Sequence, residues 1–205
     1  MTARALRLAY LVLLLGSRAE AQSLNPGPPG PFVIDLRGAT SGLPVDIALY
    51  PDHTGTTTPP TSTTTTTSTE ATSFNVPSRG WGFDVGAHVY PFSLGPTRVG
   101  FGASFMEVRG TSADAKLVMQ VVAPQLSFNF GTSNGWSYLS AGIGPARLDA
   151  DRTFNTRAVN AGGGARWFLN NHFAVGFDIR VFQLAATGTF PKTTKVAASV
   201  GLSLK

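Results

Sequence analysis

The sequence predicts an all-β protein, namely an eight-stranded antiparallel transmembrane β-barrel with one long Thr-rich extracellular loop. Three observations support this fold class. Along eight segments, apolar side chains alternate with small or polar ones, which is typical of strands whose two faces meet different surroundings. Charged residues make up 13% of the chain, against about 25% in a typical soluble domain. Short and long connections alternate between the segments, as they do in outer-membrane barrels.

The N-terminal residues predict export. Two arginines precede an apolar run at residues 8–15, and an A-x-A sequence follows at 19–21. This is the order found in cleavable secretory signals, and the run is far shorter than the roughly 20 apolar residues that span a bilayer. We therefore expect a signal peptide at residues 1–21, followed by a Pro/Gly-rich periplasmic lead-in at 22–31.

Residues 32–205 form the predicted barrel domain. The first strand is followed by a long outer loop, residues 40–78, whose tract 54–69 is nearly all Thr, Ser and Pro and cannot bury a core. Segment 43–50 of this loop is expected to form a short rim strand or to pack on the barrel mouth. The eight strands are expected at 32–39, 79–91, 97–109, 117–130, 136–149, 156–169, 172–184 and 195–204.

Each strand has one apolar face and one small or polar face. In chain order the patterns are F-V-I-D-L-R, W-G-F-D-V-G-A-H-V, V-G-F-G-A-S-F, V-A-P-Q-L-S-F-N-F, the weaker L-S-A-G-I, V-N-A-G-G-G-A-R-W, F-A-V-G-F-D-I-R-V-F and V-A-A-S-V-G-L-S-L. In the seventh, Asp178 and Arg180 share a face with Ala174 and Gly176, which fits a narrow polar lumen, whereas the apolar face fits lipid. Short turns of such barrels face the periplasm, so both termini should lie there and residues 54–69 outside.

Two features of the strands require local explanations. Pro124 and Pro145 fall inside the fourth and fifth strands, and because proline removes a ladder hydrogen bond we expect a bulge or a local break near each. Aromatic residues gather near strand ends, which predicts girdles at the headgroup boundary. They are Trp81, Tyr90, Phe92, Phe130, Trp136, Phe154, Trp167, Phe168 and Phe173.

The inward faces predict a polar network. Eight strands enclose a space just wide enough for side chains to fill it, and buried charges must be paired and hydrogen-bonded. Asp178 lies further along the barrel than Arg166 and can meet it only through strand stagger, so Asp35 and Asp84 across the lumen stay open as its alternative partners. Glycines on the same faces make room for the long arginines. The predicted network comprises Asp35, Arg37, Asp84, His88, Tyr138, Asn160, Arg166, Asp178 and Arg180, with Gln125 beside them.

Residues 160–180 read N-A-G-G-G-A-R-W-F-L-N-N-H-F-A-V-G-F-D-I-R, a Gly-rich strand ending in Arg and an aromatic, a polar turn, and a strand with D-x-R. This pattern resembles the OmpA-like small outer-membrane β-barrels, and the resemblance covers residues 32–205. It implies an eight-stranded barrel in the outer membrane, with membrane lipid and the barrel-insertion machinery as partners, and no particular activity.

We expect a non-catalytic monomer with a plugged interior and an unidentified extracellular ligand, without catalytic, cofactor-binding or metal-binding residues and without affinity for nucleic acid. The three histidines, His53, His88 and His172, have no evident Ser and acid beside them at the outer rim, which a lipid hydrolase would need. Two alternatives stay open. One is a small porin or hydrophobic-compound channel, and the other is a secreted lipocalin-like binding barrel.

Overall fold

The computed structural model describes residues 32–51, 75–131 and 135–205. The predicted signal peptide at 1–21, the lead-in at 22–31, the Thr-rich tract at 54–69 and His53 lie outside these ranges. Eight antiparallel strands close into one barrel in sequence order, which confirms the predicted eight-stranded antiparallel β-barrel. The strands are β1 (Phe32–Gly42), β2 (Arg79–Leu94), β3 (Thr97–Thr111), β4 (Lys116–Phe130), β5 (Gly135–Asp149), β6 (Thr153–Phe168), β7 (Phe173–Leu184) and β8 (Thr193–Leu204).

The barrel closes between its first and last strands. β1 pairs with β2 on one side and with β8 on the other, in a register that runs from Ile34 opposite Leu204 to Ser41 opposite Ala197. Because the strand number is even, β1 begins and β8 ends at the same end of the barrel. We call it the turn end, since the connections there are short, and the opposite end the loop end.

The outer surface of the barrel is an apolar belt. Phe, Leu, Ile, Val and Trp side chains on alternate positions of all eight strands are solvent-accessible. Such a continuous apolar exterior is the lipid-facing surface of a membrane barrel. Phe177 lies in this belt, whereas Ala174 is 1% exposed on the inner face, as the alternation predicts.

None of the helices among the described residues is long and apolar enough to cross a membrane.

The disturbance expected at the two prolines takes the form of a local break in the ladder, without a bulge. Across β4 and β5 the register is the same on both sides of the prolines: Val121 lies opposite Ala146, and Gln125 opposite Gly142. Between these pairs the ladder is interrupted over residues 122–124 and 143–145, because Pro124 and Pro145 both lie on this seam and have no N–H to donate. The register shifts instead between β2 and β3, at Val89–Phe92, where Pro91 follows Tyr90.

The hairpin of β6 and β7 also differs from the expected two-residue turn at 170–171. Phe168 pairs with Ala174, so Arg166 lies opposite Gly176. The wider turn is held by Asn170, whose side-chain oxygen accepts hydrogen bonds from the backbone N–H groups of His172 and Phe173, both at 2.8 Å. In an Asx turn of this kind the side-chain oxygen takes the place of a backbone carbonyl.

Segment 43–50 packs on the barrel mouth, and the rim-strand alternative is not observed. It contains one 3₁₀ turn, Ile47–Leu49. Asp46 caps the start of this turn, because its side chain accepts a hydrogen bond from the backbone N–H of Ala48. Leu43, Leu49 and Tyr50 are fully buried, and the Leu49 carbonyl accepts a hydrogen bond of 3.2 Å from the backbone N–H of Arg152 in the β5–β6 loop. The segment therefore covers the loop end as a lid.

The interior has three layers along the barrel axis. At the turn end, Val33, Tyr90 and Trp136 pack together with Phe168. The middle layer holds the charged and polar side chains. At the loop end lies an apolar core that was not expected from the sequence, and it continues into the lid. Its larger members are Leu43, Leu49, Tyr50, Met106, Leu117, Met119, Leu148, Phe154, Phe182, Leu184 and Phe190.

The aromatic girdles are therefore only partly present. Trp81, Phe92, Phe130, Trp167 and Phe173 lie on the outer surface. Tyr90, Trp136 and Phe154 are buried inside the barrel, and Phe168 packs edge-on against Trp136 at 5.2 Å between ring centroids. Proximity to a strand end did not distinguish these two groups, because at the barrel ends both faces of a strand carry aromatic residues.

Candidate functional site

The strongest candidate site is the polar middle layer. Its charged members come from β1, β2, β6 and β7, where their positions alternate with lipid-facing residues and so point inward. Asp35 is 2% exposed and Arg166 is 1% exposed. At this depth each charge requires a partner, because an isolated buried charge is very costly. The nine residues expected in the network are buried together there: Asp35, Arg37, Asp84, His88, Tyr138, Asn160, Arg166, Asp178 and Arg180.

Asp35 is the centre of the first group of contacts. Arg166 donates two hydrogen bonds to its carboxylate, from Nε at 2.9 Å and from Nη2 at 2.6 Å. Arg37 forms a second ion pair with it at 2.7 Å, and the Ser203 hydroxyl donates at 2.5 Å. The ion-pair partner of Arg166 is therefore Asp35. Asp84, the other open alternative, lies 3.7 Å from Arg37 Nη1.

Arg180 is the centre of the second group. It donates to both carboxylate oxygens of Asp178, at 3.2 and 3.1 Å. Its remaining donors reach the Asn160 side-chain oxygen and the Ser140 hydroxyl, each at 3.2 Å. Arginine presents a planar fork of donors, so one side chain can satisfy a carboxylate and two neutral acceptors together.

Tyr138 joins the two groups. Its hydroxyl donates to Asp178 at 2.7 Å, and its ring lies 4.0 Å from the guanidinium carbon of Arg166. The ring face attracts a cation in this geometry. Tyr138 therefore contacts one group through its hydroxyl and the other through its π-system, which makes the middle layer continuous.

His88 belongs to a neutral edge of the layer. Its Nε2 lies 3.3 Å from the Gln125 side-chain oxygen, and the Gln125 amide donates to the Ser104 hydroxyl at 2.6 Å. His172 lies far away in the exposed β6–β7 turn. In the described parts of the chain, no three side chains of the His, Cys, Asp or Glu type are grouped so that they could hold a metal ion.

Each arginine of the layer faces a glycine across the sheet. Arg37 lies opposite Gly201, Arg166 opposite Gly176 and Arg180 opposite Gly162. A Cβ added at Gly162, Gly176 or Gly201 would lie 2.4, 2.7 or 2.3 Å, respectively, from a backbone carbonyl oxygen of the arginine's strand, and 3.0–3.1 Å from the Cβ or Cγ of the arginine itself. Glycine is therefore required at these positions by the close approach of the facing backbone as well as by the stem of the arginine.

Three serines complete the network and were not among its expected members. Ser104, Ser140 and Ser203 are buried and bond to Gln125, Arg180 and Asp35, respectively. Their positions on the inward faces were predictable from the alternation. Their partners were not, because those depend on the stagger of strands far apart in the sequence.

A closed barrel of eight antiparallel strands with a lipid-facing belt and a charged interior defines the class of small outer-membrane β-barrels. Two solved structures with this fold are similar to the chain. Neisserial surface protein A matches with a TM-score of 0.56 and 12% identity, over 86% of this chain and 97% of that one. Ail, the attachment invasion locus protein of Yersinia pestis, matches with a TM-score of 0.51 and 12% identity, over 84% and 96%. No protein-family model and no curated protein matches the sequence. At this identity the likeness concerns the fold.

Proposed function

We propose that this protein is exported through its signal peptide, inserts as a monomer into the outer membrane and acts there as a sealed, non-catalytic barrel that presents its loops at the cell surface. The observation that carries the proposal is the layered interior. Asp35 and its two arginines fill the middle, Trp136 closes the turn end, and the apolar core beneath Leu49 closes the loop end.

This interior argues against the porin alternative. An ion path would have to cross an apolar layer at each end and to separate Asp35 from Arg166, whose contacts are 2.6 and 2.9 Å. Removing one partner of a buried ion pair costs about 3–5 kcal/mol. We therefore assign the charges a structural role inside the barrel and place surface contacts at the loop end.

Planar-bilayer recording tests the sealed interior. The purified barrel is expected to give no stable current, and Trp136→Ala and Asp35→Ala should at most add brief openings. A stable, sizeable current from the unmodified protein would replace the sealed barrel with a small porin.

The apolar belt supports a membrane location over a secreted lipocalin-like barrel. Phe, Leu and Val side chains that a soluble protein would bury are exposed here on all strands. Cell fractionation with gels run before and after boiling separates the two alternatives. A heat-modifiable band in the outer-membrane fraction is expected, whereas the same band in the soluble periplasm or medium would favour the lipocalin-like alternative.

The cell-surface role belongs to the loops. Ail, which has a similar fold, is named as an attachment invasion locus protein, and this supports an attachment role for the loops of the present barrel. Attachment to host cells or matrix by bacteria that carry this protein, compared with bacteria expressing a variant without residues 54–69, tests the role of the Thr-rich tract. Equal attachment, with equal amounts of both barrels in the membrane, would assign the barrel a purely structural role.

A further inference from the structure

A groove of about 470 Å³ crosses the outer surface of the barrel at the β1–β8 closure. Its floor is made of small outward-facing residues, Gly38, Thr40 and Ala198, and its walls carry Trp81 on one side and Phe177 and Ile179 on the other. The register places these walls on β2 and β7, so the groove spans four neighbouring strands.

The groove is apolar but ends beside positive charge. Trp81 is 67% exposed and lies two residues from the loop end of β2. Arg79 occupies the next outward position on the same strand, and Arg109 lies directly opposite Trp81 on β3. Both arginines are exposed. The indole ring therefore separates an apolar trough from two guanidinium groups.

The charge beside the groove is only partly compensated. The Glu107 carboxylate accepts a hydrogen bond of 2.8 Å from Nε of Arg109 and forms an ion pair of 2.6 Å with Nη2 of the same arginine. It also accepts a hydrogen bond of 2.7 Å from the side-chain amide of Gln120. These contacts hold Arg109 in place through two of its three guanidinium nitrogens. Two arginines against one carboxylate give this corner of the rim a net positive charge.

We propose that the groove binds one anionic lipid of the outer leaflet, with an acyl chain along Gly38, Thr40 and Ala198 and its phosphate between Arg79 and Arg109. The inference rests on the proposed membrane location and adds a specific site to it. Charge complementarity selects the occupant: the trough suits any hydrocarbon, whereas the two arginines at its loop end suit a phosphate at headgroup depth. A zwitterionic lipid would leave that positive corner unmatched.

Quenching of tryptophan fluorescence by lipids with brominated acyl chains tests the site. The barrel is refolded into phosphatidylcholine vesicles that contain a minority of phosphatidylglycerol, with bromine on one lipid or the other. A Trp167→Phe variant makes Trp81 the accessible reporter, since Trp136 is enclosed, and a Trp81→Phe variant leaves Trp167 as a reporter of bulk lipid. We expect brominated phosphatidylglycerol to quench Trp81 about fivefold more than brominated phosphatidylcholine at equal mole fraction, the factor for one net basic charge at an anionic surface, and to show no such preference at Trp167.

Two kinds of variant locate the lipid. Gly38→Leu should fill the floor without distorting the sheet, because the nearest heavy atom to an added Cβ is 3.9 Å away. Arg79→Gln with Arg109→Gln should remove the phosphate contact. Each change should bring the Trp81 preference close to the bulk value. The matched controls Ala161→Leu and Arg157→Gln, on the outer face of β6, should leave it unchanged.

The outcomes separate this site from the membrane location itself. Heat-modifiability of the refolded protein reports insertion, and a protein that inserts but shows equal quenching by both lipids overturns the lipid site alone. If the barrel self-associates in detergent and Gly38→Leu abolishes this association, the groove binds a second copy of the barrel. That result would also overturn the proposal. Failure to insert at all would contradict the proposed function.

Discussion

At the residue scale, the three buried aspartates of the network differ in the number of partners that each one contacts. Asp35 accepts hydrogen bonds from Arg166 and Ser203 and forms an ion pair with Arg37, all within 2.9 Å. Asp178 holds Arg180 and Tyr138. The nearest ion-pair contact of Asp84 is a distance of 3.7 Å between its Oδ2 and Nη1 of Arg37. Because a buried arginine that loses its carboxylate is left with an uncompensated charge, the three aspartates should differ in what their removal costs.

Asp35→Asn should therefore lower the free energy of unfolding more than Asp84→Asn. The first substitution leaves Arg166 and Arg37 without their short ion pairs, at about 3–5 kcal/mol, and the second removes only a long contact. Asp178→Asn should fall between them, and the corresponding Ala variants should follow the same order. Urea titrations of the folded barrel, followed by tryptophan fluorescence, measure the midpoints. Equal losses for Asp35 and Asp84 would contradict the hierarchy of contacts.

The two faces of β7 should respond differently to polar substitution. Phe177 faces lipid beside Trp167, at 5.7 Å between ring centroids, so Phe177→Arg should cost about 2–4 kcal/mol, as arginine does near the middle of a membrane barrel. Ala174→Ser adds a hydroxyl on the inner face and should be tolerated. The same titration, with Phe177→Leu as an apolar control, decides between them. Equal tolerance of the two polar substitutions would invalidate the face assignment.

At the element scale, the β4–β5 seam has a gap of three successive pairs in its ladder. Pro124 and Pro145 both face lipid and both interrupt the ladder between the same two strands, yet the register continues unchanged beyond them. The seam is therefore held by the pairs on either side, from Val118–Val121 at the loop end and from Gln125–Phe130 at the turn end.

Pro124→Val should stabilise the barrel. Valine restores a backbone N–H opposite Ile143, and one hydrogen bond contributes about 1 kcal/mol net. Pro91→Val is the matched control, because it lies in the bulge between Val89 and Phe92, where no pair is restored. A rise in the urea midpoint for Pro124→Val alone is expected. An unchanged or lowered midpoint would show that proline is required on the seam for its shape.

The lid contributes a dependence on alkaline pH. Burial, with the negative charge of Asp151 added to it, raises the pKa of Tyr50 from its ordinary value near 10 to about 12. The folded state thus favours the neutral phenol, so this contribution is complete below pH 10 and is lost as the pH rises from 10 to 12. Over that interval the unfolding midpoint of the unmodified barrel should fall further than that of Tyr50→Phe. Parallel decreases would show that the lid does not depend on this hydroxyl.

At the scale of the whole molecule, the alternation of side chains determined most of what could be predicted. It indicated the strand number, the faces and the inward polar residues, because each strand separates two unlike surroundings. It could not indicate the apolar core at the loop end: Leu117 and Met119 on an inner face look like lipid-facing residues until the barrel height is known. The partner of Arg166 and the bulge at Tyr90 depend on strand stagger, and Pro124 shows that a proline can interrupt pairing without shifting register.

The orientation of the whole barrel is testable with single cysteines, since the chain contains none. Ala113 lies exposed in the β3–β4 loop at the loop end, and Pro96 lies exposed in the β2–β3 turn. On intact cells, a membrane-impermeant maleimide should label Ala113→Cys and should label Pro96→Cys only after the outer membrane is permeabilised. The reverse pattern would invert the proposed topology and place the Thr-rich tract in the periplasm.

The pairing of arginines with glycines across the sheet constrains how this barrel can change its sequence. Arg37 and Gly201, Arg166 and Gly176, and Arg180 and Gly162 each share one level of the lumen. At each of these levels a side chain on the glycine's strand would meet a backbone carbonyl oxygen of the arginine's strand, at 2.4 Å for Gly162, 2.7 Å for Gly176 and 2.3 Å for Gly201, before it met the arginine. Related barrels of this shape should therefore keep glycine at these three positions even where a shorter residue replaces the arginine, so a redesign of the interior has to change the arginines and leave the glycines in place.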